Sequence, residues 1–148
     1  MSWNIFHKFL EGHYQGSAVD FENDTVKVML IDNTRAPSQS SDANMASIDD
    51  NEVSATGAQY TAGGATVANC TVALSTGTVT IDSDDITWSQ SSSSGFTSAY
   101  YGVMYKDTAS PATDIPIAYE GFGSAYSNTS GDFTLEMSTS GIITITES

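Results

Sequence analysis

The run Tyr100 to Lys106, YYGVMYK, constrains the fold more than any other stretch of this chain. Aromatic and β-branched residues crowd it, so an extended strand is expected. Tyr101, Val103 and Tyr105 fall on one face of that strand, and Tyr100, Gly102 and Met104 on the other. Both faces carry apolar bulk. Such a strand belongs in the middle of a sheet that is covered twice, or covered once and pressed against a second subunit. Just before it, Asp84-Asp85 closes a turn and Ile86 to Trp88 begins a short strand. The serine run Ser89 to Ser94, ending in Gly95, is a loop too polar for a core.

Period-two patterning extends through most of the remaining chain. In TVKVMLID, Val26, Val28 and Leu30 alternate with Lys27, Met29 and Ile31 before Asp32-Asn33 ends the run. Residues Thr34 to Asn51 are polar, contain Pro37 and show no sustained apolar period, so a mobile or functional connection is expected there. Asn51 to Ala55 is a candidate short strand. The Gly-rich turn YTAGGATVA then delivers the chain into a strand over Ala68 to Leu74. Ser75 to Gly77 is a tight turn, and Thr78 to Ile81 pairs back as a hairpin. Ile115 to Phe122 is a strand with Ile115, Ile117 and Tyr119 on one side. Phe133, Leu135 and Met137 alternate in the next, and Ser140-Gly141 turns into Ile142 to Thr146. About eight short strands at near-regular spacing predict an all-β sandwich of jelly-roll or immunoglobulin-like type.

The first residues have a different period. Trp3, Phe6, Phe9, Leu10 and His13 recur at helical spacing, which predicts a short amphipathic helix from Ser2 to about Tyr14, with Ser2 as N-cap and Gly12 and Gly16 to end it. A helix this short must dock its aromatic stripe, either on its own sheet or on a neighbouring subunit. The expected organisation is a helical segment over residues 1–16 and a β-sandwich over 17–148, because 148 residues suit one core.

Charge and chemistry narrow the function classes. Four basic against eighteen acidic residues give a net charge of −14, which disfavours nucleic acid and anionic membranes as partners. No apolar run reaches the ~20 residues of a bilayer span, and the N-terminus lacks a basic-then-apolar leader pattern, so synthesis in a cytoplasm is expected. Cys70 is the lone cysteine and reads as a small core residue beside Val72 and Leu74. His7 and His13 are six apart, a poor spacing for a shared ligand face, and no G-x-S-x-G elbow accompanies the many serines. The clusters Asp49-Asp50-Glu52 and Asp82-Asp84-Asp85 lack the spacing of a calcium loop and read as turn and solubility residues. No catalytic, cofactor-binding or metal-ligating set is expected, and the chain does not read as an enzyme.

Five blocks, VSATGAQYTAGGATVAN, DSDDITWS, AYYGVMYKD, IPIAYEGFG and GDFTLEMSTSGIITI, stand in that order along the chain. Together they resemble the signature blocks of a family of small virion structural proteins of tailed bacteriophages, over nearly all of the chain from Val19 onward. The chain departs from that pattern at Tyr100, where the family often has Arg, and at Gly121, where it often has Asp. The resemblance implies a capsid decoration (cement) protein on the outer surface of the phage head, bound to the major capsid protein and self-associated as a homotrimer. Its alternative is a tail-associated or receptor- and carbohydrate-binding module. Partner contacts are expected from Trp3, Phe6, Phe9 and Leu10 on the helix and from Tyr100 and Tyr101 on the two-sided strand, with the Thr34 to Asn51 loop as a further candidate.

Overall fold

A computed structural model describes residues 2–16, 19–54, 59–90 and 95–146. In chain order the elements are β1 (Asn4–Ile5), α1 (His7–Gln15), β2 (Val26–Ile31), two 3₁₀ turns (Met45–Ser47 and Asp49–Asn51), β3 (Ala65–Thr66), β4 (Thr71–Ser75), β5 (Thr78–Asp82), β6 (Ile86–Trp88), β7 (Ala99–Lys106), β8 (Ile115–Tyr126), β9 (Phe133–Leu135) and β10 (Ile143–Thr146). They form a five-stranded sheet ordered β1-β8-β7-β2-β3, a three-stranded sheet β10-β5-β4 and a two-stranded ribbon β6-β9. Every described strand pair is antiparallel. The domain is all-β and sandwich-like, with a short helix near its N-terminus.

The two-sided strand sits where its sequence demands. β7 is the central strand of the five, and each of its faces is covered by this chain itself. On one side Met104 joins Val26, Val28 and Leu30 of β2 in the main core, opposite Ile81, Trp88, Leu135 and Ile143 from the two smaller sheets. Gly102 lies on this face because a Cβ there would meet Leu135, Phe122 and Val28 side chains at 3.3 to 3.5 Å. On the other side Val103 and Tyr105 pack with Met29, Ile31, Phe6, Met45 and Ile48 in a second cluster.

That second cluster corrects one part of the expectation for Thr34 to Asn51, that the connection lacks structure of its own and is mobile. Met45 and Ile48 are 0% and 1% exposed, and they roof the second face of the sheet. Two apolar residues three apart are too sparse to show a period, yet they suffice to anchor one turn each of 3₁₀ helix. The polar residues around them form the frame. Asn44 caps the first turn by accepting from Ala46 N–H at 3.1 Å. The buried Asp42 carboxylate pairs with Arg35 and accepts from Ser38 N–H at 2.8 Å and Ser47 O–H at 3.2 Å. Burial alone would raise the Asp42 carboxyl, but the Arg35 guanidinium and these donors outweigh it and hold it below the usual range.

The N-terminus is also corrected. The helix begins at His7, its N-cap position is Phe6 with no side-chain cap, and Gly12 lies inside it, whereas Gly16 closes it in the left-handed region at φ 80°. Asn4 and Ile5 instead pair with Tyr119 and Ala118 at the edge of β8, and Ser2 N–H donates to Glu120 at 2.8 Å. An open sheet edge offers these residues backbone partners that a lone first helical turn would lack. Residues 2–16 therefore feed both cores: Phe6 enters the second cluster and Phe9 the main one.

Smaller departures have equally local causes. Asn51 to Ala55 yields a single bridge, Ile31 to Glu52, followed by Val53 N–H to Leu30 C=O at 3.0 Å; Ala55 lies outside the described residues. β4 starts at Thr71 rather than Ala68, after Asn69 at φ 52°. Most of the serine run, residues 91–94, lies outside the described residues. Along β8 the pairing slips between Met104/Ala118 and Tyr105/Pro116, so Ile117 is the extra residue of a bulge. Ile115 and Ile117 face the main core as expected, but beyond the bulge Tyr119 joins the second cluster on the opposite face. The strand itself continues past Phe122 to Tyr126.

Candidate functional site

The six residues expected to grip a partner are not brought together. Phe6 is fully buried with its ring 5.4 Å from that of Tyr119, and Phe9 is buried edge-on to Phe21 at 6.0 Å. Trp3 is half-buried against the main core, with its indole Nε1 enclosed and without a hydrogen-bond partner among the described residues. Tyr100 and Tyr101 are half-buried, and Tyr101 sits edge-on to Tyr119 at 6.3 Å. Gly121 is paired with Tyr101, where a Cβ would touch the tyrosine ring at 3.4 Å, and not with Tyr100. Of the six, Leu10 is the one with substantial open surface, at 37% exposed.

A different apolar surface emerges from the three-stranded sheet. The register aligns Val72, Ile81 and Ile143 in one cross-strand row and Leu74, Val79 and Ile145 in the next, all on the same face. Threonine, serine and alanine occupy the opposite face of β4 and β10. In the inner row Ile81 and Ile143 are buried in the main core; in the outer row Leu74 is 76% exposed and Ile145 46%. The apolar face therefore extends beyond the core that covers it. Helix α1 runs alongside with Leu10 and Tyr14, and together they bound a groove of about 390 Å³ floored by Phe9, Phe21 and Val79. None of the residues lining this groove is a carboxylate, a lysine or an arginine. The sequence carries the alternation that builds this face, but alternation reports which side of a strand is apolar and not how far the cover reaches.

Cys70 adjoins the same sheet and is half-buried rather than enclosed, because Val72 and Leu74 beside it face solvent in part. Burial first, then the nearby Asp84 carboxylate, push its thiol upward, the direction opposite to that of a reactive thiolate.

The acidic clusters have structural work. Glu52 accepts from Tyr60 O–H at 2.8 Å and Gly63 N–H at 2.7 Å, while Tyr105 O–H donates to Gly63 C=O at 2.7 Å. Burial dominates at Glu52 and raises its carboxyl despite these donors. Asp84 accepts from Asn69 at 2.6 Å, and Asp85 accepts from Met137 N–H at 2.7 Å, fastening β9's exit to the turn before β6. Lys27 pairs with Asp107 at 2.6 Å and Lys106 with Asp24 at 2.7 Å. Among the described residues no group of three His, Cys, Asp or Glu side chains is placed to hold a metal ion, and no helix is long and apolar enough to cross a membrane. His7 and His13 are exposed on α1.

One further concavity has a mixed lining: Glu120, Phe122, Tyr126 and Phe133 bound a cleft of about 340 Å³ at the end of β8. The rings of Phe122, Tyr126 and Phe133 stand 5.6 to 5.9 Å apart, and Tyr126 is 44% exposed. Comparison with protein-family models, curated proteins and solved structures finds no match to this chain.

Proposed function

We propose that this chain is a virion structural protein of a tailed bacteriophage, a capsid decoration (cement) protein that binds the outside of the head through the major capsid protein. The observation that supports it most is the surface: on a chain of net charge −14, the apolar row Leu74, Val79 and Ile145 borders a groove beside α1 that no carboxylate, lysine or arginine lines. An exposed apolar patch on an otherwise acidic, compact β domain is the signature of a part that binds other parts. Acidic charge also suits the outer side of a shell better than its DNA-lined interior. The five ordered blocks that resemble phage virion proteins supply the class of assembly.

The test is to mix the purified protein with undecorated heads and quantify what co-sediments. Cement should reach copy numbers comparable to the major capsid protein and should raise the temperature at which heads rupture. Failure to bind heads, or recovery in a few copies with the tail, overturns the reading. The second reading, a carbohydrate-binding module, draws on the cleft of Glu120, Phe122, Tyr126 and Phe133, since aromatic faces beside a carboxylate suit a sugar ring. Glycan-array binding that Tyr126→Ala abolishes would favour it.

The resemblance implies a homotrimer. The two-sided β7 and the helix residues Phe6 and Phe9, where subunit contacts are expected, pack within this chain and Leu10 alone of the helix stripe stays open, so self-association is argued from a different surface.

A further inference from the structure

We infer that the outer edge of β4 is a docking site for a second copy of this chain, joining two three-stranded sheets into one continuous six-stranded sheet across a two-fold axis at Ala73. Three independent features point to that edge and that occupant.

The first is that, among the described residues, no strand pairs with this edge. β4 ends its sheet, pairing with β5 on one side, and all five of its residues are exposed. Edge strands are ordinarily blunted by a lysine, a proline, an inward charge or a bulge. TVALS has none of these, and its register with β5 is unbroken from Thr71↔Asp82 to Ser75↔Thr78.

The second is self-complementarity. Thr76 at φ 48° and Gly77 at φ 76° form a two-residue turn of type I′, which makes Ser75 and Thr78 the hydrogen-bonded pair closing the hairpin. By alternation Thr71 and Ala73 also direct their N–H and C=O groups toward β5. Val72 and Leu74 direct theirs outward. The strand reads polar, apolar, small, apolar, polar, which is the same by class in both directions. An antiparallel pairing about Ala73 thus sets Val72 of each copy against Leu74 of the other, with outward backbone groups matched, and sets Thr71 against Ser75. An isologous contact requires this kind of palindrome.

The third is charge. Two copies of a chain at −14 repel, so they can meet closely only on a surface without carboxylates. The groove beside β4, lined by Val72 and Val79 and flanked by Leu10 and Tyr14, has no carboxylate in its lining, and Leu74 stands exposed next to it in the same cross-strand row as Val79. Pairing at the edge would also join the two apolar faces into one continuous face and give Val72 and Leu74, the exposed apolar residues of the edge strand, cross-strand apolar neighbours.

The inference does not rest on the virion reading. A protein that pairs through β4 but ignores heads keeps the first and loses the second.

Sedimentation velocity on the full chain at micromolar concentrations, at about 0.05 and 0.5 M salt, provides the test. A dimer is expected, with a dissociation constant that falls as salt screens the like charges. Leu74→Lys should weaken it at least tenfold while leaving the circular dichroism unchanged, because Leu74 is 76% exposed. Ala73→Cys should form an intermolecular disulfide under oxidised glutathione. Thr71→Cys should not, since only the residue on the axis faces its own copy, and the unmodified chain with Cys70 is the control. A monomer throughout, a trimer, a dimer that weakens with salt, a dimer indifferent to Leu74→Lys, or equal cross-linking from positions 71 and 73 would each overturn the inference.

Discussion

The roof over the second face of the sheet makes a quantitative prediction. Ile48 is 1% exposed in a cluster with Met45, Phe6, Met29, Ile31, Val103 and Tyr105, drawn from the 34–51 connection, the N-terminal segment and the two central strands. Truncating it to alanine removes three carbons from a site that β2 and β7 hold rigid, so little collapse is available to fill the space. A buried Ile→Ala change of this kind costs about 2 to 5 kcal/mol, and a value of about 3 is expected here. For a domain of this size that corresponds to a fall in Tm of roughly 10 °C. Urea denaturation followed by tryptophan fluorescence measures it, and the midpoint should move with the slope unchanged, since the surface exposed on unfolding is nearly the same. A mobile surface loop makes a different forecast, because substitutions in such loops usually stay within about 0.5 kcal/mol. A loss that small for Ile48→Ala would refute the claim that residues 34–51 form part of the core. Pairing it with Phe6→Ala adds a second check: both side chains belong to one cluster, so the double variant should depart from additivity by at least about 0.5 kcal/mol.

Three other substitutions probe separate features. Gly64→Ala should fail to fold or lose more than about 3 kcal/mol by urea denaturation, because Gly64 stands at φ 79° and a Cβ there would run into the Val28 carbonyl group; a loss under about 1 kcal/mol would mean that the chain entering β3 does not lie against β2 as described. Glu52→Gln tests the half-buried carboxylate. Because burial raises the folded-state value above the unfolded one, the folded chain takes up the proton first as pH falls, so wild-type stability gains from Glu52 as pH drops through the raised value and loses it again as pH rises. The difference in urea midpoint should therefore move in favour of Glu52→Gln between about pH 4 and pH 8, and parallel profiles would contradict the raised carboxyl. Trp3→Phe removes an enclosed indole N–H that has no partner among the described residues, so stability by thermal melt should hold or rise slightly, and a loss above about 2 kcal/mol would show that Nε1 has a partner.

How much of this was legible in the sequence depends on the range of the interaction concerned. Strand and hairpin patterns are local, and β2, β5, β6, β7 and β9 lie close to where alternation and turn residues place them, as does the closing Gly16 of the helix. The sequence alone also required two covers for Tyr100 to Lys106, because apolar side chains on both sides of a strand need two. Which residues supply the second cover was decided by tertiary structure. Met45 and Ile48 sit in a polar run without a period, and Phe6 reaches the same cluster only because Asn4 and Ile5 find partners on β8 more than a hundred residues away. The same limit explains the reassigned interaction surface. Spacing on a helical wheel grouped Trp3, Phe6, Phe9 and Leu10, yet chain contacts that no local pattern encodes drew Phe6 and Phe9 into two different cores. Conversely, Val72, Leu74, Val79 and Ile145 carry the alternation of a core face, and whether they are covered depends on how far the helix and the other sheets extend over them. Periodicity is a property of one strand; burial is a property of its neighbours, and those are set by contacts distant in the chain.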